Sequence, residues 1–369
     1  MSAIARDPRI DLLRGVSILL VLLHHFNLAY SLRGTGLARL VGWDAVHAVT
    51  RNGNYGVIMF FTISGYLITA NAMRRWPGLA RVDVREFYAL RAARILPSLV
   101  LLLVMVNALG FCGLPLFQNH PEQGPAVPVW LVDAAALTFW MNVLMAQAGW
   151  LNYVLCVLWS LSVEEVFYLA FPLLCRGLRR VRWLLAVWLV FIVAGPVWRM
   201  LHQDDEAGFL YAYLACFDAI AMGCCAAVLA PRVAVPAGVA RVLPGAAALA
   251  MAVLYLSASI GRTNVFGVTL MALGTAVLIL SGRGRAVRRS GVAARAVQGC
   301  GRLSYELYLS HLLVLAGLRI VWLPDTAAGG TKLVLLVVFL GLSVLVGWLW
   351  ARLYAEPVNR FVRLRAAVA

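Results

Sequence analysis

Apolar residues run along this chain in blocks of about twenty, broken by short polar segments. A helix rises ~1.5 Å per residue, so each block is long enough to cross a hydrocarbon core of ~30 Å. The blocks fall at about 10–30, 56–72, 96–114, 159–176, 182–199, 210–230, 243–260, 264–281, 303–321 and 332–354. They predict an all-α, polytopic integral membrane protein with about ten transmembrane helices, forming one domain over residues 1–369. A shorter run, 131–146, reads as re-entrant or lying in the interface. In the segment 82–95, Phe87, Leu90 and Ala93–Arg94 fall at helical spacing, which suits an amphipathic helix on the inner surface. Pro97 then opens the third span, as proline does at a helix start.

The arginines sit between the blocks. Arg6, Arg9 and Arg14 lead the first. Arg74, Arg75, Arg81, Arg85, Arg91 and Arg94 follow the second. Arg176, Arg179, Arg180 and Arg182, then Arg232 and Arg241, mark later connections. The segment 282–302 carries Arg283, Arg285, Arg288, Arg289, Arg295 and Arg302, and the C-terminus carries Arg360, Arg363 and Arg365. Cytoplasmic loops hold such an excess, so both termini are expected inside. The segment 112–130, free of Arg and Lys, and the acidic segment 200–209 then face outside. The alternation requires that 131–146 does not cross. The first external loop, with Arg33, Arg39 and Arg51, departs from the rule.

Composition agrees. The chain is 63% hydrophobic and 13% charged, where soluble domains average about 45–50% and about 25%. The net charge of +16 comes almost wholly from arginine, with Lys332 the one lysine. That charge is spent at membrane faces, which leaves no basic domain for nucleic acid. The N-terminus lacks a small-residue cleavage site and is followed by many spans, so it reads as a retained first helix. The seven cysteines show no metal-ligand spacing. Cys216, Cys224 and Cys225 suit packing, whereas Cys112 and Cys156 are the two that would face an oxidising compartment and could form a disulfide there.

Several polar residues interrupt the blocks. The first span, Ile10 to Phe26, contains Arg14 near its start and His24 and His25 near its far end. Ser64, Glu164, Glu165, Asp218 and His311 lie within later spans. Ionisable groups at such depth cost roughly 2.5–3.5 kcal/mol or more each and are functional suspects. Counted from the span ends at ~1.5 Å per residue, His25, Ser64, Glu164 and Glu165, Asp218 and His311 fall at matching depth, which predicts one intramembrane polar cavity. A carboxylate can hold an imidazole in one tautomer, and the imidazole can then take a proton from a hydroxyl. A structural His–Glu hydrogen bond and a proton relay in a transporter use the same residue types. Glu164 and Glu165 point about 100° apart on a helix, so the second needs its own partner. Arg91 and Arg94 share a helix face and can pair with phosphates, or anchor the helix to headgroups.

At these residues the chain resembles the acyltransferase 3 family of integral-membrane O-acyltransferases. The matching pieces are DLLRGVSILLVLLHHF with Arg14 and His25, FFTISGYLI (60–68), RAARILPSL (91–99), WSLSVEEVFYL (159–169), SYELYLSHLLV (304–314) and YAEPVNRF (354–361). The resemblance implies transfer of an acyl group, commonly acetyl, from cytoplasmic acyl-CoA, with acetyl-CoA the expected donor and no permanently bound cofactor. The expected acceptor is a hydroxyl of a carbohydrate, lipid-linked glycan or exported small molecule. It implies a place in a bacterial cytoplasmic (inner) membrane, among membrane lipids. By the same resemblance His25 is the base or transient acyl carrier and Glu164 its partner. Arg91 and Arg94 hold the coenzyme's phosphates, and Arg14 points toward the coenzyme. Ser64, Tyr168, Tyr305 and His311 match signature positions and are placed with the substrate. Ser310 stands where many members carry Trp, and His24 duplicates the histidine. Some members carry a further hydrolase-like domain; this chain ends eight residues after Phe361, so its chemistry is expected within the membrane core. The rival is a proton-coupled transporter of a glycan or lipid, built on the same His and Glu residues.

Overall fold

Asp7 starts the first helix: its carboxylate accepts from Arg9 N at 2.9 Å, with Pro8 in the first turn, the arrangement that satisfies a helix N-terminus. The computed structural model describes residues 7–119, 127–233, 236–281 and 290–366. Arg6, Arg283, Arg285, Arg288 and Arg289, counted in the charge pattern, lie outside these residues, as do the side chains of Arg363 and Arg365. The elements are helical throughout: α1 (Pro8–Tyr30), α2 (Gly36–Val41), α3 (Trp43–Thr50), α4 (Asn54–Arg75), α5 (Val84–Phe111), α6 (Val129–Leu137), α7 (Met141–Ala148), α8 (Leu158–Leu178), α9 (Val181–Leu201), α10 (Tyr213–Leu229), α11 (Ala237–Ser257), α12 (Ile260–Ser281), α13 (Val292–Arg302), α14 (Ser304–Val321), α15 (Gly329–Trp350) and α16 (Glu356–Ala366).

Ten helices among the described residues are long and apolar enough to cross a membrane, and each overlaps one of the ten predicted blocks. Central and peripheral helices differ in burial. In the most apolar stretch of 155–178, 67% of residues are buried, against 11% in 238–257. The site helices α4, α8 and α14 therefore sit at the centre and α11 at the rim.

Glycine sets the closest contacts. A Cβ on Gly65 would lie 2.0 Å from Ile220 O, and one on Gly223 would lie 2.0 Å from Thr62 O. The backbones of α4 and α10 thus touch at two reciprocal points, as small residues permit in membrane bundles. Gly15 and Gly301 do the same for α1 and α13, facing Val297 O and Asp11 O.

Two local expectations change, and one is kept. Pro97 does not open a span. It lies inside α5, which begins at Val84 under the cap of Asp83, whose side chain accepts from Glu86 N. Proline removes the intrahelical donor to Ala93 O, and a neighbouring helix braces the turn beside that break: Tyr305 OH of α14 donates to Ile95 O at 3.0 Å. The run 131–146, expected not to cross, is two short helices, α6 and α7, outside the ten spans. They break at Phe139, which has φ +64°, a strained value for a bulky residue. Tyr213 OH donates to Phe139 O at 2.9 Å, Met141 N to Ser162 Oγ at 3.1 Å, and Asn142 Nδ2 to Tyr211 O at 3.0 Å, which pins the break to α8 and to the chain around the start of α10. All seven cysteines are free thiols: Cys112 is exposed, while Cys156 is buried and donates to Tyr153 O at 3.2 Å.

Candidate active site

His25 is held from one side of its ring. Its Nδ1 lies 3.0 Å from Val21 O, one turn back on α1, and 3.2 Å from Nε2 of His311 on α14. The ring centroids are 4.9 Å apart. His311 is fully buried, and its Nδ1 donates to Tyr308 O at 2.8 Å and Leu307 O at 3.2 Å. His24 points elsewhere: its Nδ1 donates to Thr50 O on α3 at 3.0 Å. Of the two adjacent histidines, His25 is the one aimed at another buried titratable group.

A second group forms between α4, α5 and α8. Ser64 Oγ donates to Glu164, Tyr168 OH approaches the same carboxylate oxygen at 2.7 Å, and the Tyr168 and Ser64 hydroxyls also meet. Arg91 Nη2 donates to Glu165 at 2.8 Å and lies 3.6 Å from Glu164. Its guanidinium stacks over the Tyr168 ring at 3.9 Å. Glu165 is buried, and Arg91 and Glu164 are partly so. Arg91 is therefore the partner that the glutamate pair requires, while Arg94, one turn on, is exposed. A cavity of about 130 Å³ lies beside this group, lined by Arg91, Glu165 and Tyr168 together with Phe87, Ile95 and Phe139.

The two groups adjoin through residues that the sequence reading did not single out. Tyr308, one turn before His311 on α14, bonds Ser160 Oγ at 2.6 Å and donates to Val157 O at 3.1 Å. Ser160 lies one turn before Glu164 on α8. Both residues sit inside the quoted motif segments, and their helical spacing to His311 and Glu164 was the available signal. Arg14 holds the other end of the α1–α14 contact, donating to Ser304 Oγ through Nε at 3.0 Å and Nη2 at 2.8 Å.

Two expected relationships differ. Among the described residues no hydrogen bond joins His25 to Glu164; each has the partners just given. Asp218 does not join this site. It pairs with Arg199 at 2.7 Å and accepts from Thr269 at 2.7 Å, in a fully buried ion pair between α9, α10 and α12. A close approach allows this: a Cβ on Gly195 would lie 2.6 Å from Asp218 Cγ.

The arrangement suits proton transfer at His25, whose hydrogen bonds both go through Nδ1, and charge stabilisation by hydroxyl and guanidinium groups at Glu164 and Glu165.

The chain is similar to the peptidoglycan O-acetyltransferase OatA of Listeria monocytogenes, 26% identical over 170 residues that make up 45% of this chain and 23% of the relative. It is likewise similar to the O-acetyltransferase OatA of Staphylococcus aureus, 28% identical over 173 residues, 45% of this chain and 24% of the relative. The chain thus spans about a quarter of the length of the curated relatives it matches. No solved structure matches it. The model of a family described as an acyltransferase domain matches residues 7–352, nearly the whole chain, and the protein belongs to this acyltransferase 3 family.

Proposed function

We propose that the chain is a membrane O-acyltransferase. It moves an acyl group, acetyl in the first instance, from cytoplasmic acyl-CoA to a hydroxyl of a carbohydrate, lipid-linked glycan or exported small molecule. The observation that carries the reading is His25, deep in the first span, hydrogen-bonded to a second buried histidine whose helix is bonded, through Tyr308 and Ser160, to the helix that carries Glu164 and Tyr168. The names of the two relatives support O-acetyl transfer in particular.

In this mechanism His25 Nε2 takes the proton of the acceptor hydroxyl as its oxygen attacks the thioester carbonyl. An O–C bond forms, the C–S bond breaks, and the leaving thiolate receives that proton. A positioned base of this kind contributes about 10²–10⁴-fold. Ser64 and Tyr168 carry the hydroxyl donors nearest the glutamates and are the candidate donors to the developing oxyanion. Exposed Arg94 is the residue for the coenzyme's phosphates, because Arg91 is engaged by Glu165. Arg14, bonded to Ser304, and Tyr305, bonded to Ile95 O, order the helix ends around that donor site. The termini are cytoplasmic in a bacterial inner membrane, following the arginine pattern.

The test is acyl transfer from radiolabelled acetyl-CoA in inside-out vesicles. The native chain is expected to label a glycan, a lipid or a small molecule. His25→Ala abolishes the label, Glu164→Gln lowers it, and Arg94→Ala recovers at high donor concentration. The reading fails if no acetyl or longer acyl donor yields label while a pH gradient drives a solute flux that needs His25, which is the transporter outcome.

A further inference from the structure

The hydrogen bonds of the two histidines fix where their protons sit. A carbonyl oxygen only accepts, so a ring nitrogen bonded to one carries the hydrogen. His311 Nδ1 meets two carbonyls, Tyr308 O at 2.8 Å and Leu307 O at 3.2 Å. In the neutral ring His311 Nε2 is then a lone pair, and it faces His25 Nδ1 at 3.2 Å. His25 Nδ1 also meets Val21 O at 3.0 Å. It therefore carries hydrogen and shares it between the Val21 carbonyl and the His311 ring. The opposite tautomer of His25 would set its own lone pair against two buried acceptors at once, which a low-dielectric interior penalises.

We infer that His311 is a positioning residue: through its Nε2 lone pair it locks His25 in the Nδ1–H tautomer and leaves His25 Nε2 as the atom that reacts. The role is the one a carboxylate plays toward a catalytic histidine elsewhere, filled here by a second, neutral imidazole. His311 is itself locked by carbonyls of its own helix, so the order runs from backbone to His311 to His25. When Nε2 takes a proton, the imidazolium keeps both acceptors at Nδ1. The consequence for rate rests on the function proposed above; the tautomer does not.

Two variants separate position from bulk. His311→Phe keeps a planar ring of similar size and removes the acceptor. His311→Gln restores an acceptor, placing an amide oxygen near the present Nε2. With radiolabelled acetyl-CoA and native membrane vesicles, His311→Phe is expected to lower kcat about 10²-fold with the donor KM unchanged, and His311→Gln to recover most of that loss. Ring-nitrogen NMR of isotope-labelled histidine in nanodiscs, assigned with His25→Ala, is expected to show His25 protonated at Nδ1 and bare at Nε2. It is also expected to show that preference weakened in His311→Phe, where Val21 O is left as the one acceptor at Nδ1. A proton on His25 Nε2 in the native chain, or full kcat in folded His311→Phe, overturns the inference. Transfer that survives His25→Ala overturns instead the catalytic reading of His25, and the NMR then still decides the tautomer by itself.

Discussion

Arg199→Met removes a buried cation whose every donor is used. Nε donates to Val265 O at 3.2 Å, Nη1 to Ala215 O and to Asp218 Oδ1 at 3.1 Å, and Nη2 to Asp218 Oδ2 at 2.7 Å and Thr269 Oγ1 at 2.6 Å. Neither Arg199 nor Asp218 is exposed at all. After the substitution Asp218 keeps Thr269 Oγ1 and Ala219 N, and loses two bonds to a charged donor. At about 1.5–3 kcal/mol for each such bond the loss is about 3–6 kcal/mol. The cost of stranding one partner of a buried pair, about 3–5 kcal/mol, agrees. The effect is large because Asp218 is left without a counter-charge, so removing both charges should repair much of it. Arg199→Met/Asp218→Leu is therefore expected to recover at least half of the loss. The assay is reversible unfolding in bicelles by steric trapping, with acyl transfer measured on the folded fraction. Folded Arg199→Met should transfer at the native rate, since Arg199 shares no partner with the His25 or Glu164 groups. An Arg199→Met stability within about 1 kcal/mol of the native chain, or a double variant as unstable as the single one, would show that Asp218 is not a stranded charge.

Arg91 and Arg94 should part company. Arg91→Met strands buried Glu165 and is expected to cost about 3 kcal/mol together with transfer, whereas exposed Arg94→Ala should stay within about 0.5 kcal/mol and raise only the donor KM, as unfolding and donor titration will show. Gly223→Ala puts a Cβ where Thr62 O now lies. Overpacking there is expected to destabilise by about 1–3 kcal/mol, and an unchanged unfolding curve would dismiss the close contact of α4 and α10. Cys112 is exposed and Cys156 buried, so a membrane-impermeant maleimide applied to intact cells should label Cys112 with no reductant present. Labelling seen only in inside-out vesicles would reverse the topology inferred from the arginines.

The spans were legible because an apolar block of about twenty residues has one stable use in a bilayer. The failures are local and physical. Pro97 looked like a helix start because the sequence does not display the neighbour that braces the turn beside it, and Tyr305 comes from more than two hundred residues away. His25, Ser64, Glu164 and His311 were visible as polar residues at shared depth, but their pairing was not. Glu164 was matched with His25, whereas the structure gives it two hydroxyls and the flank of Arg91. A guanidinium close to two carboxylates is the stronger attraction at low dielectric, and only packing of α5 against α8 brings it there. Arg199 read as the end of a span, since its burial depends on α9, α10 and α12 closing around it.

The same pairing bears on the choice between acyl transfer and a proton relay. A relay needs groups that both accept and release a proton at each step. From His25 the hydrogen-bonded path leads to His311 Nε2, and from His311 Nδ1 to the carbonyl of Tyr308. That carbonyl accepts and has nothing to pass on. The Tyr308 hydroxyl is bonded to Ser160 and Val157 O, at the far end of its own side chain. Among the described side chains, then, a proton taken by His25 has no hydrogen-bonded route to Glu164, although the two groups adjoin. Those side-chain bonds alone return it through the nitrogen by which it came. In an acyl transfer that is what the chemistry requires, because the proton removed from the acceptor hydroxyl is wanted a moment later, at the same place, by the departing thiolate. A pump would need it delivered elsewhere.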